Sequence, residues 1–247
     1  MQNDFPAPAA KLAVARQRRT EPLRWYYAGL SGLLLLIVVL GFSRTFFLRS
    51  VFTPQPLPAY LYVHGFALTA WFSLVFAQSC LVAARRTDLH RRLGIVGAVN
   101  ALVLVPLSGY VVIRAIPRYN AAGVDPAEIQ FIVIGDLISI VVFSLLVGAA
   151  LAWRRKREWH KRLMMVASTL IVGPAAARLE RLGFTVPVPV VLIGLLIAVG
   201  CYDAARLGRL HRATIISSLA VLLSLGALLL VVGTPAGRMA VERLSRW

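Results

Sequence analysis

The sequence carries little charge for its length, and very little of that charge is negative. Charged residues make up 15% of the chain, and only 10 of its 247 residues are Asp or Glu, against 27 Lys and Arg. A soluble domain averages about 25% charged residues. No polar stretch is long enough to form a soluble catalytic domain. These deficits exclude an ordinary soluble enzyme.

Cysteine and lysine are also scarce. The two cysteines, Cys80 and Cys201, have no metal-type spacing, so we interpret them as two reduced, buried thiols. The last apolar run, Thr214–Val232, contains no lysine, which excludes a retinal protein because that class requires a Schiff-base lysine in its last helix. The outer layer of the bundle offers too few His and Asp residues for a metal-dependent intramembrane hydrolase. Whether the protein is an enzyme stays open.

Long apolar runs dominate the rest of the sequence. Hydrophobic residues make up 59% of the chain, and the mean hydropathy is +0.75. A helix needs about 20 apolar residues to cross a bilayer. The sequence therefore predicts an all-α, polytopic transmembrane helix bundle of about seven spans. Their predicted bounds are Tyr26–Phe47, Ala59–Ala83, His90–Ile116, Glu128–Trp153, His160–Ala177, Val186–Ala204 and His211–Gly233. The fifth is the weakest span, because Gly173-Pro174 should bend or end it.

The basic residues predict an orientation for the bundle. Lys and Arg are about twice as frequent in the loops on one side as on the other. By the positive-inside rule the N-terminus is cytoplasmic and the C-terminus outside, and these loops are membrane-flanking, with no nucleic-acid partner. Residues 1–24 are then a basic cytoplasmic segment, and residues 25–233 the transmembrane domain, with core helices at about 59–177. Residues 234–247 are a short basic tail, suited to an amphipathic helix on the membrane surface.

Two ionisable residues lie inside the outer half of the predicted spans. Counted along the helix, His64 is about 7–8 Å and Asp136 about 12 Å from the outer ends of their spans. A charged Asp at that depth costs several kcal/mol unless it is paired or neutral. His64 is its natural partner, with Arg114, Arg178 or Tyr110 as rivals. The sequence thus predicts a buried polar site of His64, Asp136 and Arg178. The alternatives are a hydrogen-bonded strut between helices and a ligand or proton site.

The other three histidines open predicted spans on the inner side. His90, His160 and His211 each follow an apolar residue, precede a basic one and stand five residues after an arginine. This recurrence indicates an internal repeat of helical hairpins. Neutral imidazole is a ligand of haem iron. Spans three and five both begin on the inner side, so they place His90 and His160 at one level.

This layout resembles the di-haem transmembrane cytochromes b that pass electrons from ascorbate to ferric iron. In that family four core helices each contribute one histidine, and these pair between helices two and four and between helices three and five. His64, His90 and His160 match three of the four positions, and Asp136 stands at the fourth. The resemblance implies haem b as cofactor with these three histidines as ligands. It also implies transmembrane electron transfer and a redox partner.

Several motifs also resemble a group of uncharacterised bacterial polytopic inner-membrane proteins. They are Arg44-Thr45-Phe46-Phe47, His64-Gly65, Thr69-Ala70-Trp71-Phe72, Leu89-His90-Arg91-Arg92-Leu93-Gly94 and His160-Lys161-Arg162-Leu163-Met164. This resemblance implies a multi-pass protein of the bacterial inner (plasma) membrane, with the lipid bilayer as its surroundings, and implies no activity.

Two functions stay open from the sequence. The first is haem binding with electron transfer across the membrane. The second is a non-redox role, either a small-solute or proton transporter or an assembly factor for a membrane-protein complex, which uses His64 and Asp136 as a buried pair.

Overall fold

Helices that can cross a membrane make up most of the structure. The computed structural model describes residues 22–53 and 55–246. Seven helices in this part of the chain are long and apolar enough to span a bilayer, and the same residues form no β-strand. The protein is a multi-pass membrane protein with an all-α fold, as predicted. Most of the predicted N-terminal segment, residues 1–24, lies outside the described residues, and the sidedness of the termini stays a prediction.

The seven spans correspond to helices α1 to α7, and an eighth helix follows them within the described residues. The bounds are α1 Tyr26–Gly41, α2 Ala59–Ala83, α3 Thr87–Ala121, α4 Pro126–Ala152, α5 Arg157–Leu170, α6 Val188–Leu207, α7 Arg212–Val231 and α8 Pro235–Ser245. α1 ends at Gly41, earlier than predicted, and a π-helical turn, Ser43–Phe47, follows it. α3 extends beyond its predicted bounds at both ends.

The fifth span, the weakest by sequence, lies at the centre of the bundle. α5 packs against α1, α4, α6 and α7. Of the most apolar stretch of this span, 61% of the residues are buried inside the protein. In the other six spans this share is 17% to 33%. A helix that meets other helices on most sides does not need a uniformly apolar surface. Its low hydropathy therefore reflects contact with protein in place of lipid.

The fifth span is broken where the sequence predicts an interruption. α5 ends at Leu170, and a short helix resumes at Gly173–Ala177, followed by a 3-10 turn at Arg178–Leu182. Pro174 stands at the start of the short helix, where its missing N–H leaves no helical hydrogen bond unmade.

The main apolar core surrounds α5. Val166 of α5 is fully buried, and Leu34 of α1 and Val199 of α6 pack into the same core. Trp71 of α2 stacks edge to face on Phe143 of α4, with ring centroids 5.1 Å apart. The core therefore draws on helices outside residues 59–177 as well as inside them.

The predicted basic tail forms the amphipathic helix α8. Its Val241 is buried in a second apolar cluster with Val112 and Ile129, at the adjoining ends of α3 and α4. Arg238 and Arg243 are exposed. The tail is therefore docked on the bundle through Val241 and keeps these two bases accessible.

The two cysteines differ in their surroundings. Both thiols are free, as predicted, and Cys80 is half-buried. Cys201 is exposed, so its predicted burial is wrong. The reason is that it lies on the face of α6 turned away from the bundle.

Gly41 provides a direct test of the packing between α1 and the short helix of the fifth span. A Cβ at Gly41 would overlap the backbone carbonyl of Ala175, which cannot move aside as a side chain could. We expect Gly41→Ala to destabilise the protein by about 1–3 kcal/mol, measured as a lower thermal midpoint of the purified protein. Gly29→Ala in the same helix is the control, because a Cβ there meets open space and alanine favours helix. Equal midpoints for the two variants would contradict this packing.

Candidate functional site

A cavity of about 360 Å³ lies at the end of the bundle opposite the basic loops. We call this half of the bundle the cavity half. Residues of α2, α3, α4, the fifth span and the turn after α1 line it. His64, Asp136 and Arg178 all belong to this lining. The structure thus brings the three residues of the predicted polar site to one cavity.

The expected direct pair between His64 and Asp136 is not formed. Among the described residues no hydrogen bond or ion pair joins the two, and His64 Nδ1 is buried without a partner. The other expected rivals, Arg114 and Tyr110, lie outside the cavity lining. The structure therefore shows no direct strut between these two side chains. The reason is that the cavity lies between their helices.

A second buried polar atom without a partner belongs to another residue of the same lining. Thr45 Oγ1, in the π-helical turn after α1, is buried without a hydrogen bond among the described residues. The ring of the adjacent Phe46 packs against α2 at Gly65, the residue that follows His64. A Cβ at position 65 would overlap this ring. Glycine at position 65 therefore lets the turn approach α2. The motif Arg44-Thr45-Phe46-Phe47 thereby contacts the motif His64-Gly65 at the wall of the cavity.

Arg178 reaches the cavity from the broken end of the fifth span. Its Nη1 donates a hydrogen bond to the carbonyl oxygen of Pro174 at 2.6 Å, and its guanidinium lies 4.8 Å from the centroid of the Phe42 ring. The side chain is half-buried, and among the described residues no carboxylate lies within ion-pair distance of it. These contacts fix its position and leave most of its N–H donors uncommitted.

Apolar side chains close the cavity toward the basic loops. Phe143 and Leu170 belong to the lining, and Trp71 packs behind Phe143. The Trp71 indole N–H donates to Ser168 Oγ of α5 at 3.2 Å, which holds this layer in place. The cavity is therefore closed at this end.

The opposite end of the bundle brings His90 and His160 together. Their ring centroids are 6.2 Å apart with planes at 84°. Each is the fourth residue of its helix, α3 or α5. His160 Nδ1 lies 2.8 Å from the carbonyl oxygen of Ala150, and His90 Nδ1 is buried without a partner. Neither ring lines the cavity.

His211, the third histidine of the predicted repeat, has a different role. It precedes α7, and its Nδ1 accepts a hydrogen bond from the Ala213 N–H at 3.1 Å. Burial, and next the nearby Arg162 cation, lower the pKa of the His211 imidazole. The neutral ring is the form that can accept this bond. The first two histidines of the repeat thus share a register, and the third caps its helix.

The two layers of polar residues differ in how well they suit haem. The cavity half offers one imidazole, because Asp136 stands where a second histidine would be needed. The pair of His90 and His160 offers two, and two metal–imidazole bonds of about 2 Å each fit a centroid spacing of about 6 Å. No cluster of three or more His, Cys, Asp or Glu that could hold a metal occurs in residues 22–53 and 55–246.

A buried ion pair that the sequence analysis missed joins α5 to α6. Arg162 donates to Asp203 Oδ1 from Nε at 2.8 Å and also from Nη2, and both side chains are fully buried. In sequence, Arg162 follows a run of loop bases, where a further positive charge is ordinary. The available signal was Asp203, an acidic residue in an otherwise apolar run, within reach of a basic loop.

The other oxygen of the Asp203 carboxylate ties α7 to the same point. Oδ2 accepts from the Thr214 hydroxyl at 2.5 Å and from the His211 backbone N–H at 2.9 Å. On the far side of the pair, Arg162 Nη1 donates to Glu158 at 2.5 Å. One buried carboxylate thereby connects three helices, with its hydrogen-bonding capacity largely used.

Comparisons with known proteins assign no family to this arrangement. No protein-family model, curated protein or solved structure matches the chain. The functional argument therefore rests on the geometry of the two ends of the bundle.

The buried pair predicts a large loss of stability when one partner is removed. Asp203→Leu leaves the buried Arg162 with the half-exposed Glu158 as its one remaining carboxylate partner among the described residues, and we expect the loss of its buried partner to cost about 3–5 kcal/mol, seen as a lower thermal midpoint or loss of folded protein. Asp88→Leu is the control, because its pair with Arg86 is exposed and such pairs contribute about 0–1 kcal/mol. A double variant, Arg162→Met with Asp203→Leu, should recover part of the loss. Similar midpoints for the two single variants would contradict a stabilising role for the pair.

Proposed function

We propose that this protein binds a small amphipathic solute in the cavity half of the bundle and exchanges it with the medium on that side. The observation that carries the proposal is a cavity of about 360 Å³ with unpartnered polar atoms in its wall. Small-molecule sites are typically clefts of about 300–1,000 Å³ with mostly apolar walls and a few polar groups. This cavity has both properties.

The unpartnered atoms indicate a polar group on the solute. A buried polar atom without a hydrogen bond costs about 1–3 kcal/mol. Thr45 Oγ1 and His64 Nδ1 both lack a partner among the described residues but are enclosed by protein, so a change of rotamer is needed to turn either atom toward a bound polar group. Leu68, Leu104 and Val105 line the same space and suit an apolar body. The solute is therefore expected to be polar at one end and apolar at the other.

The break in the fifth span supports a role in moving the solute. Transporters commonly build their sites beside discontinuous helices, whose free ends supply polar groups inside the membrane. Leu170, Ile171 and Pro174 flank this break and line the cavity. The closed layer at Phe143 then corresponds to one state of a two-state carrier, open on the side that we predict to be outside.

Filling the cavity tests this proposal. Ser139→Phe on α4 places a ring in the lining, and we expect it to abolish stabilisation by octyl probes (octanol, octanoate or octylammonium) in thermal unfolding of the purified protein. At least one of these probes should raise the midpoint of the natural protein. Val141→Phe on the same helix is the control, because that side chain is exposed and outside the lining. Absence of stabilisation by every probe, or equal stabilisation of Ser139→Phe, would remove the proposal.

A second candidate function is haem-based electron transfer at the pair of His90 and His160. The specific observation is the 6.2 Å spacing of the two rings, together with the resemblance to di-haem cytochromes b. A bound haem would supply one-electron redox chemistry. The Ala150 carbonyl would orient His160 by accepting from Nδ1, leaving Nε2 as the ligand atom. No haem would bind at the level of His64 and Asp136.

An absorption spectrum tests this second candidate. Protein produced with added haem should show a Soret band that shifts on reduction, and His90→Ala or His160→Ala should remove at least about nine-tenths of it, because one axial ligand is lost. His211→Ala should keep the band, since His211 caps α7. A colourless natural protein under these conditions contradicts haem binding at this pair.

A further inference from the structure

The charge of the cavity identifies a class of solute for the site proposed above. Four arginines line the cavity, and Asp136 is the one carboxylate among its lining residues. Arg118 and Arg181 are exposed at the cavity end of their segments, and Arg49 and Arg178 are half-buried. The four arginines therefore extend from the exposed surface to the inside of the cavity.

None of the four arginines forms an ion pair in the part of the chain that the structure describes. Within residues 22–53 and 55–246, no acidic side chain lies within 4.0 Å of any of the four guanidinium groups. Glu180 lies between Arg178 and Arg181 in sequence but is exposed and pairs with neither. Charges on low-dielectric walls focus the field inside a cleft and raise the local concentration of counter-ions. The cavity thus favours an anion over a neutral or cationic solute.

Arg178 is placed to hold the charged group. One of its five N–H donors is used by the Pro174 carbonyl, and the Phe42 ring supports the guanidinium plane. The remaining donors suit a carboxylate or phosphate, which arginine binds with two parallel hydrogen bonds. Thr45 and His64 line the same cavity, and each has an enclosed polar atom without a partner, which a change of rotamer would turn toward further oxygens of the solute.

We propose that the solute of this cavity is an organic anion, a carboxylate or a phosphate ester on an apolar body, with Arg178 as its anchor. The inference rests on the proposed function. The same chemistry is presented by a free amphipathic acid and by the headgroup of an anionic lipid.

Three probes of equal length separate charge from shape. Octanoate, octanamide and octylammonium are titrated against the full-length protein in phosphatidylcholine nanodiscs, with binding measured by thermal stabilisation. We expect octanoate to bind at least about tenfold more tightly than the other two, because hydrogen bonds to charged groups are the strong ones. Asp136→Asn removes the opposing carboxylate and should tighten octanoate binding further.

A matched pair of arginine variants tests the anchor. Arg178→Gln should weaken octanoate binding at least about tenfold and leave octanamide unchanged, since a charge-assisted pair is lost. Arg114→Gln is the control, because Arg114 is exposed on α3 near the same end and lies outside the lining. Arg178→Lys should recover part of the binding by restoring the charge without the fork of donors.

The outcomes distinguish the two proposals. If octanamide or octylammonium binds as tightly as octanoate, or if Arg178→Gln leaves octanoate binding intact, the anion inference fails while the cavity remains a solute site. If none of the three probes binds, the proposed function fails as well. Repeating the octanoate titration with phosphatidylglycerol in the nanodisc identifies the source of the anion. Weaker apparent binding favours a lipid headgroup, and an unchanged value favours a free acid.

Discussion

The buried contact between Arg162 and Asp203 is the interaction on which the rest of the bundle depends. Both side chains are withdrawn from solvent, so each charge needs the opposite charge beside it and further hydrogen bonds to its remaining polar atoms. The Asp203 carboxylate also accepts from Thr214 and from the His211 backbone. A bundle built of apolar surfaces alone has little to fix its helices in register. This one contact fixes α5, α6 and α7 at a single level.

The position of α5 then determines both ends of the bundle. Its first turns carry His160 toward His90, close to the anchored pair. Its last residues, Leu170 and the Ile171 that follows, line the cavity beside the break. The helix is thus held firmly at one end and interrupted at the other. The central place of α5 is also the reason that the least apolar span can be the most buried.

Hydropathy predicted the seven spans because the thickness of the bilayer sets the length of each apolar run. The bounds of α2 agree at both ends. Counting residues from the ends of the spans placed His64 and Asp136 in the outer half of the bundle and Arg178 at the outer end of the fifth span. The same counting placed His90 and His160 at one level. Depth along a helix can be read from a sequence in this way, since the rise per residue is constant.

Direction around a helix could not be read in the same way. The expected pair of His64 and Asp136 failed because a cavity separates their helices, and no periodic pattern marks a void. The pair of Arg162 and Asp203 was missed because both residues lie near predicted loops, where charge is ordinary. Its signal was a single acidic residue in an apolar run, and the rotation of α6 that aims it inward is set by packing.

The central claim is that the cavity lined by Arg178, Thr45 and His64 holds a solute. An experimental structure of the protein purified in nanodiscs tests it most directly. The account predicts non-protein density in the cavity within hydrogen-bonding distance of Arg178, with Asp136 and His64 still apart. A closed cavity in which Asp136 pairs directly with His64 or Arg178 would contradict it.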